Sequence, residues 1–152
     1  MVAGSQNDGR LPRRAAEIIE ALKLSPHPEG GWFAETFRES AADGRRGTVT
    51  QIYYLLAAGE LSAWHRVTDA TEIWHHYNGA PLQLSLADEA EGRRVVILGK
   101  DIQKGEQLNA VVPLGCWQAA QSLGVWTLVG CTVAPAFEFA GFEMAPVGWE
   151  PQ

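Results

Sequence analysis

Apolar positions along this chain change their period once. Ala15, Ile18, Ile19 and Leu22 recur at three- and four-residue spacing, which predicts an amphipathic helix over residues 12–24. Pro12 suits the first helical turn. Ser25-Pro26-His27-Pro28 ends the helix, because a proline disfavours helix in the residue before it. From Gly30 onward, short segments rich in Val, Thr, Tyr, Trp and Phe are separated by Gly, Asp and Pro. Strands are predicted near 32–38, 48–57, 63–66, 72–77, 83–87, 93–98, 110–112, 117–121, 125–133 and 137–139, with a hairpin turn at 88–92. One helix followed by ten short strands predicts an all-β jelly-roll barrel.

Several of these strands are apolar on both faces. Ile73 and Tyr77 lie opposite Trp74, and Val125-Trp126-Thr127-Leu128-Val129 shows the same doubling. A barrel wall that faces water should alternate. Part of the outer face is therefore expected to be covered, most simply by a second copy in a homodimer.

At 152 residues, 46% of them hydrophobic, the chain can fill one core. We expect a disordered segment over 1–10 and a single domain over 11–152. The formal charge of −6 gives no general electrostatic reason to bind nucleic acid or an anionic membrane. No apolar run reaches the roughly 20 residues of a membrane span. The polar N-terminus lacks a signal-peptide core, so a cytoplasmic location is expected. Cys116 and Cys131 sit in apolar surroundings and read as buried, reduced thiols.

Gly59, His65, Glu72 and Gly79 fall on a familiar spacing. They resemble the first motif of the cupin superfamily, G-x5-H-x-H-x3-4-E-x6-G, except that Val67 replaces the second histidine. Pro113-Leu114-Gly115-Cys116-Trp117-Gln118 is similar to the second motif core, P-x-G-x2-H, with Gln118 in place of the histidine. The stretch from Pro26 through His27, Pro28, Glu29, Gly30, Gly31 and Trp32 to Arg38 resembles the P-H-P-E-G-G-[WY]-[FY]-x-E-T-[FY]-R signature of one branch, the type-five cupins, a domain of unknown function. Ile52-Tyr53-Tyr54-Leu55-Leu56, residues 112–120 and residues 128–139 are similar to that family too, so the likeness spans about residues 11–145. It implies a double-stranded β-helix, usually dimeric, with a ligand-sized pocket; it implies no particular reaction.

His65 and Glu72 are the candidate catalytic pair. A carboxylate beside an imidazole raises its pKa and fixes its tautomer, which makes a usable acid or base near neutral pH. A buried polar pair that merely satisfies itself is the bland alternative. Trp74 and His76 share the strand face of Glu72, and Gln118 should lie across from them. One of Tyr53 and Tyr54 faces inward; parity leaves the choice open, and Tyr54 is the candidate for the pocket. Glu35 and Arg38 can bind a ligand or pair across an interface, and Arg38 can clamp an anionic group. His27, between two prolines, reads as structural or exposed. No metal or other cofactor is expected: with Val67 and Gln118 at ligand positions, one histidine and one carboxylate remain. His76 lies about 13 Å along the strand from Glu72, too far to replace the lost histidine.

Three functions follow. The first is a metal-independent isomerase or epimerase acting on a sugar-like or carbonyl-bearing metabolite, with His65 as base. The second is a non-catalytic binding or sensing module using the same pocket. The third, a metal-dependent oxygenase or decarboxylase, is disfavoured by Val67 and Gln118.

Overall fold

The structure, a computed structural model, describes residues 11–152; the segment 1–10, expected to be disordered, lies outside the described residues. Helix α1 spans Arg13–Leu22. It ends where Lys23 turns left-handed (φ 56°) and the Leu24 N–H closes on the Ile19 carbonyl at 2.9 Å. Its apolar face buries Ala15 and Ile18 against Leu24 and Leu55, with Trp32, Trp126 and Leu128 packed around them. Burying Ile18 or Leu24 contributes on the order of 1.5–3 kcal/mol each. The doubled apolar face at Trp126 and Leu128 is thus covered by the chain's own helix.

Eleven strands follow: β1 Ser25–Pro26, β2 Trp32–Arg38, β3 Thr50–Ala57, β4 Leu61–Val67, β5 Thr71–Gly79, β6 Leu82–Asp88, β7 Gly92–Leu98, β8 Asn109–Val112, β9 Trp117–Ser122, β10 Trp126–Ala134 and β11 Phe142–Met144. They form two antiparallel sheets, ordered β1-β2-β3-β10-β5-β8 and β11-β4-β9-β6-β7. This is the expected all-β double-stranded β-helix behind one helix. One predicted strand is corrected. Residues 137–139 form no strand; the chain makes a 3₁₀ turn at Phe139–Gly141 before β11 pairs with β4. Backbone pairing is set by a distant partner, and aromatic content alone did not locate it.

The facing sheets enclose a core of Tyr54, Leu56, Trp74, Leu82, Leu84, Leu86, Leu98, Val112 and Val129. It fills one end of the barrel. At the other end the buried side chains of Glu29, His65 and Glu72 surround a cavity. Among the described residues no helix is long and apolar enough to cross a membrane.

Two β-bulges shape the cavity end. Along β4, Ser62 pairs with Ala120 and His65 with Gln118, so three steps on β4 match two on β9. The extra residue puts Ser62 and His65 on the same inner face despite their odd spacing. Along β2, Glu35 pairs with Ile52 and Arg38 with Thr50, and the same offset brings Glu35 and Arg38 to one face.

Candidate functional site

The site forms where the 27–31 loop enters the barrel. Gly30 has φ +107°, and a Cβ there would lie 2.0 Å from the Leu61 carbonyl oxygen. Only glycine permits that crossing. The crossing is pinned by Ala63 N–H donating to the Glu29 carbonyl at 2.8 Å and by the Tyr54 hydroxyl donating to the Gly30 carbonyl. It drops the Glu29 side chain into the barrel, where it is 7% exposed.

Glu29 is the partner of His65. His65 Nε2 lies 2.8 Å from Glu29 Oε2, and His65 Nδ1–H donates to the Ala63 carbonyl at 2.7 Å. The β4 bulge leaves that carbonyl free of the β9 ladder. Both ring nitrogens are therefore donors, and His65 is an imidazolium. Burial pushes its pKa down, but the Glu29 charge and hydrogen bond, with the Glu72 charge and the Ala63 carbonyl, raise it to about 9. Burial likewise pushes Glu29 up; the charge and hydrogen bond of His65 bring it below the usual carboxylate value.

Glu72 enters from β5, two residues from Trp74 on the same inner face, and is 8% exposed. It feels the charge of His65 but forms no hydrogen bond with it. Burial, reinforced by the Glu29 charge, raises its pKa to about 7, against the opposing pull of His65, Gln118 and Trp74. Among the described residues, Glu72 is the carboxyl of this cavity that is held by no ion pair.

These groups line a cavity of about 80 Å³ together with His27, Phe33, Glu35, Arg38, Thr50, Ile52, Val67, Cys131, Val133, Phe137, Phe139 and Phe142. Drug-sized ligands need roughly 300–1,000 Å³, so the space suits a smaller molecule. Phe137, Phe139 and Phe142 pack edge to face, with centroids 5.0–6.0 Å apart. Arg38 grips Glu35 with Nε–Oε1 2.8 Å and Nη2–Oε2 2.9 Å, and its Nη1 donates to the Phe137 carbonyl at 2.9 Å. Glu35 and Arg38 thus pair with each other within the chain, at the cavity wall. A larger groove of about 420 Å³ lies against the outer face of the five-stranded sheet, and its lining includes none of the candidate residues.

Of the sequence candidates, His65, Glu72, Glu35 and Arg38 come together at the cavity. Trp74, Gln118, Tyr54 and His76 point into the barrel but lie behind its wall. Trp74 Nε1 donates to Gln118 Oε1 at 2.8 Å, sealing the side toward the apolar core. Tyr54 rather than Tyr53 faces inward, and it packs against His27 and Trp74. His76 Nε2 donates to the Ala80 carbonyl at 2.9 Å, toward the far end of β5. Sequence reasoning missed Glu29, His27 and the phenylalanine wall. The signal for the first two was present, since both stand inside the P-H-P-E-G-G segment.

The donors present do not fit a transition metal. His65 has no free nitrogen, Val67 has no donor atom, and the Gln118 oxygen accepts from Trp74. Among the described residues no cluster of three or more His, Cys, Asp or Glu side chains is placed to hold an ion.

Residues 16–145 match the profile of a family described as Cupin superfamily (DUF985). A solved structure from Shewanella oneidensis is 34% identical, with a TM-score of 0.80 over 86% of this chain and 84% of that one. A hypothetical protein from Leishmania major is 29% identical, with a TM-score of 0.79 over 86% of each chain. A variant of oxalate decarboxylase from Bacillus subtilis is 14% identical, with a TM-score of 0.60 over 78% of this chain and 29% of that one; it shares the fold. No curated protein matches.

Proposed function

Because the chain belongs to the Cupin_5 (DUF985) family of the cupin superfamily, we propose that it binds a small carbonyl-bearing or sugar-like metabolite in the barrel cavity and isomerises or epimerises it without a metal. The observation that carries this reading is the state of Glu72: a buried carboxyl, held by no ion pair, with a pKa of about 7. A general base works best when its pKa lies near the operating pH. His65 was the expected base, but both of its N–H groups are committed to Glu29 and Ala63. In this mechanism Glu72 takes and returns the substrate proton, and His65 supplies a fixed positive charge that steadies the Glu72 carboxylate. A non-catalytic binding module is the second reading; it draws on the internal pairing of Glu35 with Arg38 and of Glu29 with His65. We further propose a homodimer as the working form and a small molecule as the partner.

The test is deuterium wash-in at the carbon next to the carbonyl of dihydroxyacetone and glycolaldehyde in D₂O, followed by NMR on protein treated with a chelator. Exchange should persist after chelation and disappear in Glu72→Gln. Exchange that needs one divalent ion per chain would replace this reading with a metal-dependent one. Full exchange by Glu72→Gln would remove Glu72 from the chemistry.

A further inference from the structure

We infer that His27 is a second catalytic residue of this site, a neutral imidazole whose Nε2–H is offered to the carbonyl oxygen of the substrate while Glu72 takes the neighbouring proton. The inference rests on the proton-transfer reading above. The Glu29 backbone N–H donates to His27 Nδ1 at 3.1 Å, so Nδ1 is an acceptor and the ring proton sits on Nε2. The carboxylate of Glu29 also lies 3.8 Å from Nδ1, but with the proton on Nε2 this contact is no salt bridge. The ring is held edge-on by Phe33 at 4.4 Å, Tyr54 at 5.6 Å and Phe142 at 6.4 Å. Pro26 and Pro28 stiffen the backbone on either side.

The side chain is 8% exposed and lines the cavity, yet Nε2 has no hydrogen-bond partner among the described residues. Nε2 is not sealed from solvent; with no partner among the described residues, it is free to donate to a ligand entering the cavity. Burial keeps this imidazole neutral, with its pKa lowered; the nearby Glu29 raises it and the His65 cation lowers it. A carboxylate base beside a neutral imidazole donor is an arrangement suited to enolisation.

The step balances without any further reactant. The C–H bond next to the carbonyl breaks and its proton goes to Glu72. The C–H electron pair forms the C=C bond, and the carbonyl π pair moves onto oxygen, where His27 Nε2–H stabilises it. Return of the proton to the former carbonyl carbon, with the adjacent hydroxyl passing its own proton to the former carbonyl oxygen, gives the isomer; return to the original carbon after the enediolate turns its other face to Glu72 gives the epimer. Glu29 acts as a positioning residue, since its backbone N–H fixes the tautomer of His27 while its carboxylate holds His65.

Two measurements test the assignment. Long-range ¹H–¹⁵N NMR of the whole chain should show His27 as the neutral Nε2–H tautomer and His65 protonated on both nitrogens at pH 7. A proton on His27 Nδ1, or a His27 cation at pH 7, would overturn the inference, and this reading needs no substrate. In the deuterium wash-in assay His27→Phe should lose about 100-fold, as for removal of one oxyanion donor. His27→Gln, which keeps an N–H donor, should recover part of that loss. Wild-type exchange by His27→Phe would exclude His27 while leaving the role of Glu72 intact. Loss of exchange in Glu72→Gln alone would have the same meaning.

Discussion

Replacing Glu72 by Gln should make the protein more stable at neutral and alkaline pH, although it removes a candidate catalytic group. The native carboxyl has a pKa raised from 4.5 to about 7, first by burial and then by the Glu29 charge. An unfolded chain returns it to its ordinary value. Between those two values the native state binds more protons than the unfolded state, so stability falls as pH rises. Below pH 4.5 the stabilisation is fully present, and it is lost as pH climbs through 7. The loss amounts to about 3 kcal/mol for this side chain. Glu72→Gln carries no such titration. Its stability relative to wild type should therefore rise by about 3 kcal/mol between pH 4 and pH 8. His65 adds a second decline with the same sign, because its pKa rises from 6.5 to about 9. That decline runs from pH 6.5 to 9 in wild type; it is smaller in the variant, which lacks the Glu72 charge that helps raise the His65 pKa, so it leaves a contribution of the same sign in the difference. Glu29 acts the other way: its lowered pKa means that its contribution is lost as pH falls below the usual carboxylate range. Urea denaturation of both proteins at half-unit pH steps measures the difference. A stability gap that stays constant from pH 4 to 8 would show that Glu72 is not strained by burial, and the proposed base would lose its physical ground.

Two further outcomes are expected. His65→Leu leaves the Glu29 carboxylate buried without its partner at 2.8 Å, and should cost about 3–5 kcal/mol at pH 7, recovering as acid neutralises Glu29; a loss under 1 kcal/mol in thermal or urea unfolding would mean that the pair is not buried as described. Light scattering should give twice the 16.6 kDa chain mass, because Ile73, Tyr77 and Val111 remain on outer strand faces that α1 does not cover; a monomer at micromolar concentration would leave those positions unexplained.

Several features of this chain were readable from its residues. The change of apolar period at residue 30 set the helix apart from the strands, because helix and strand periodicities are local properties of the chain. Motif spacing identified the barrel and marked His65 and Glu72. Strand parity put Glu72, Trp74 and His76 on one face, and the structure has them so. Other features depended on contacts between distant segments. Ser62 with His65, and Glu35 with Arg38, are three residues apart and by parity should point to opposite sides. Bulges against β9 and β3 bring each pair together, and a bulge exists only in the pairing of two strands. The partner of His65 proved to be Glu29, thirty-six residues upstream, delivered by a loop that crosses at Gly30. With His65 committed to Glu29, Glu72 is the carboxyl of the cavity left without an ion pair among the described residues. Sequence supplied the polar side chains of the cavity, while tertiary structure decided which are paired and which is left unpaired. Pairing of charges depends on distances across the barrel, and strand spacing along the chain carries no record of them.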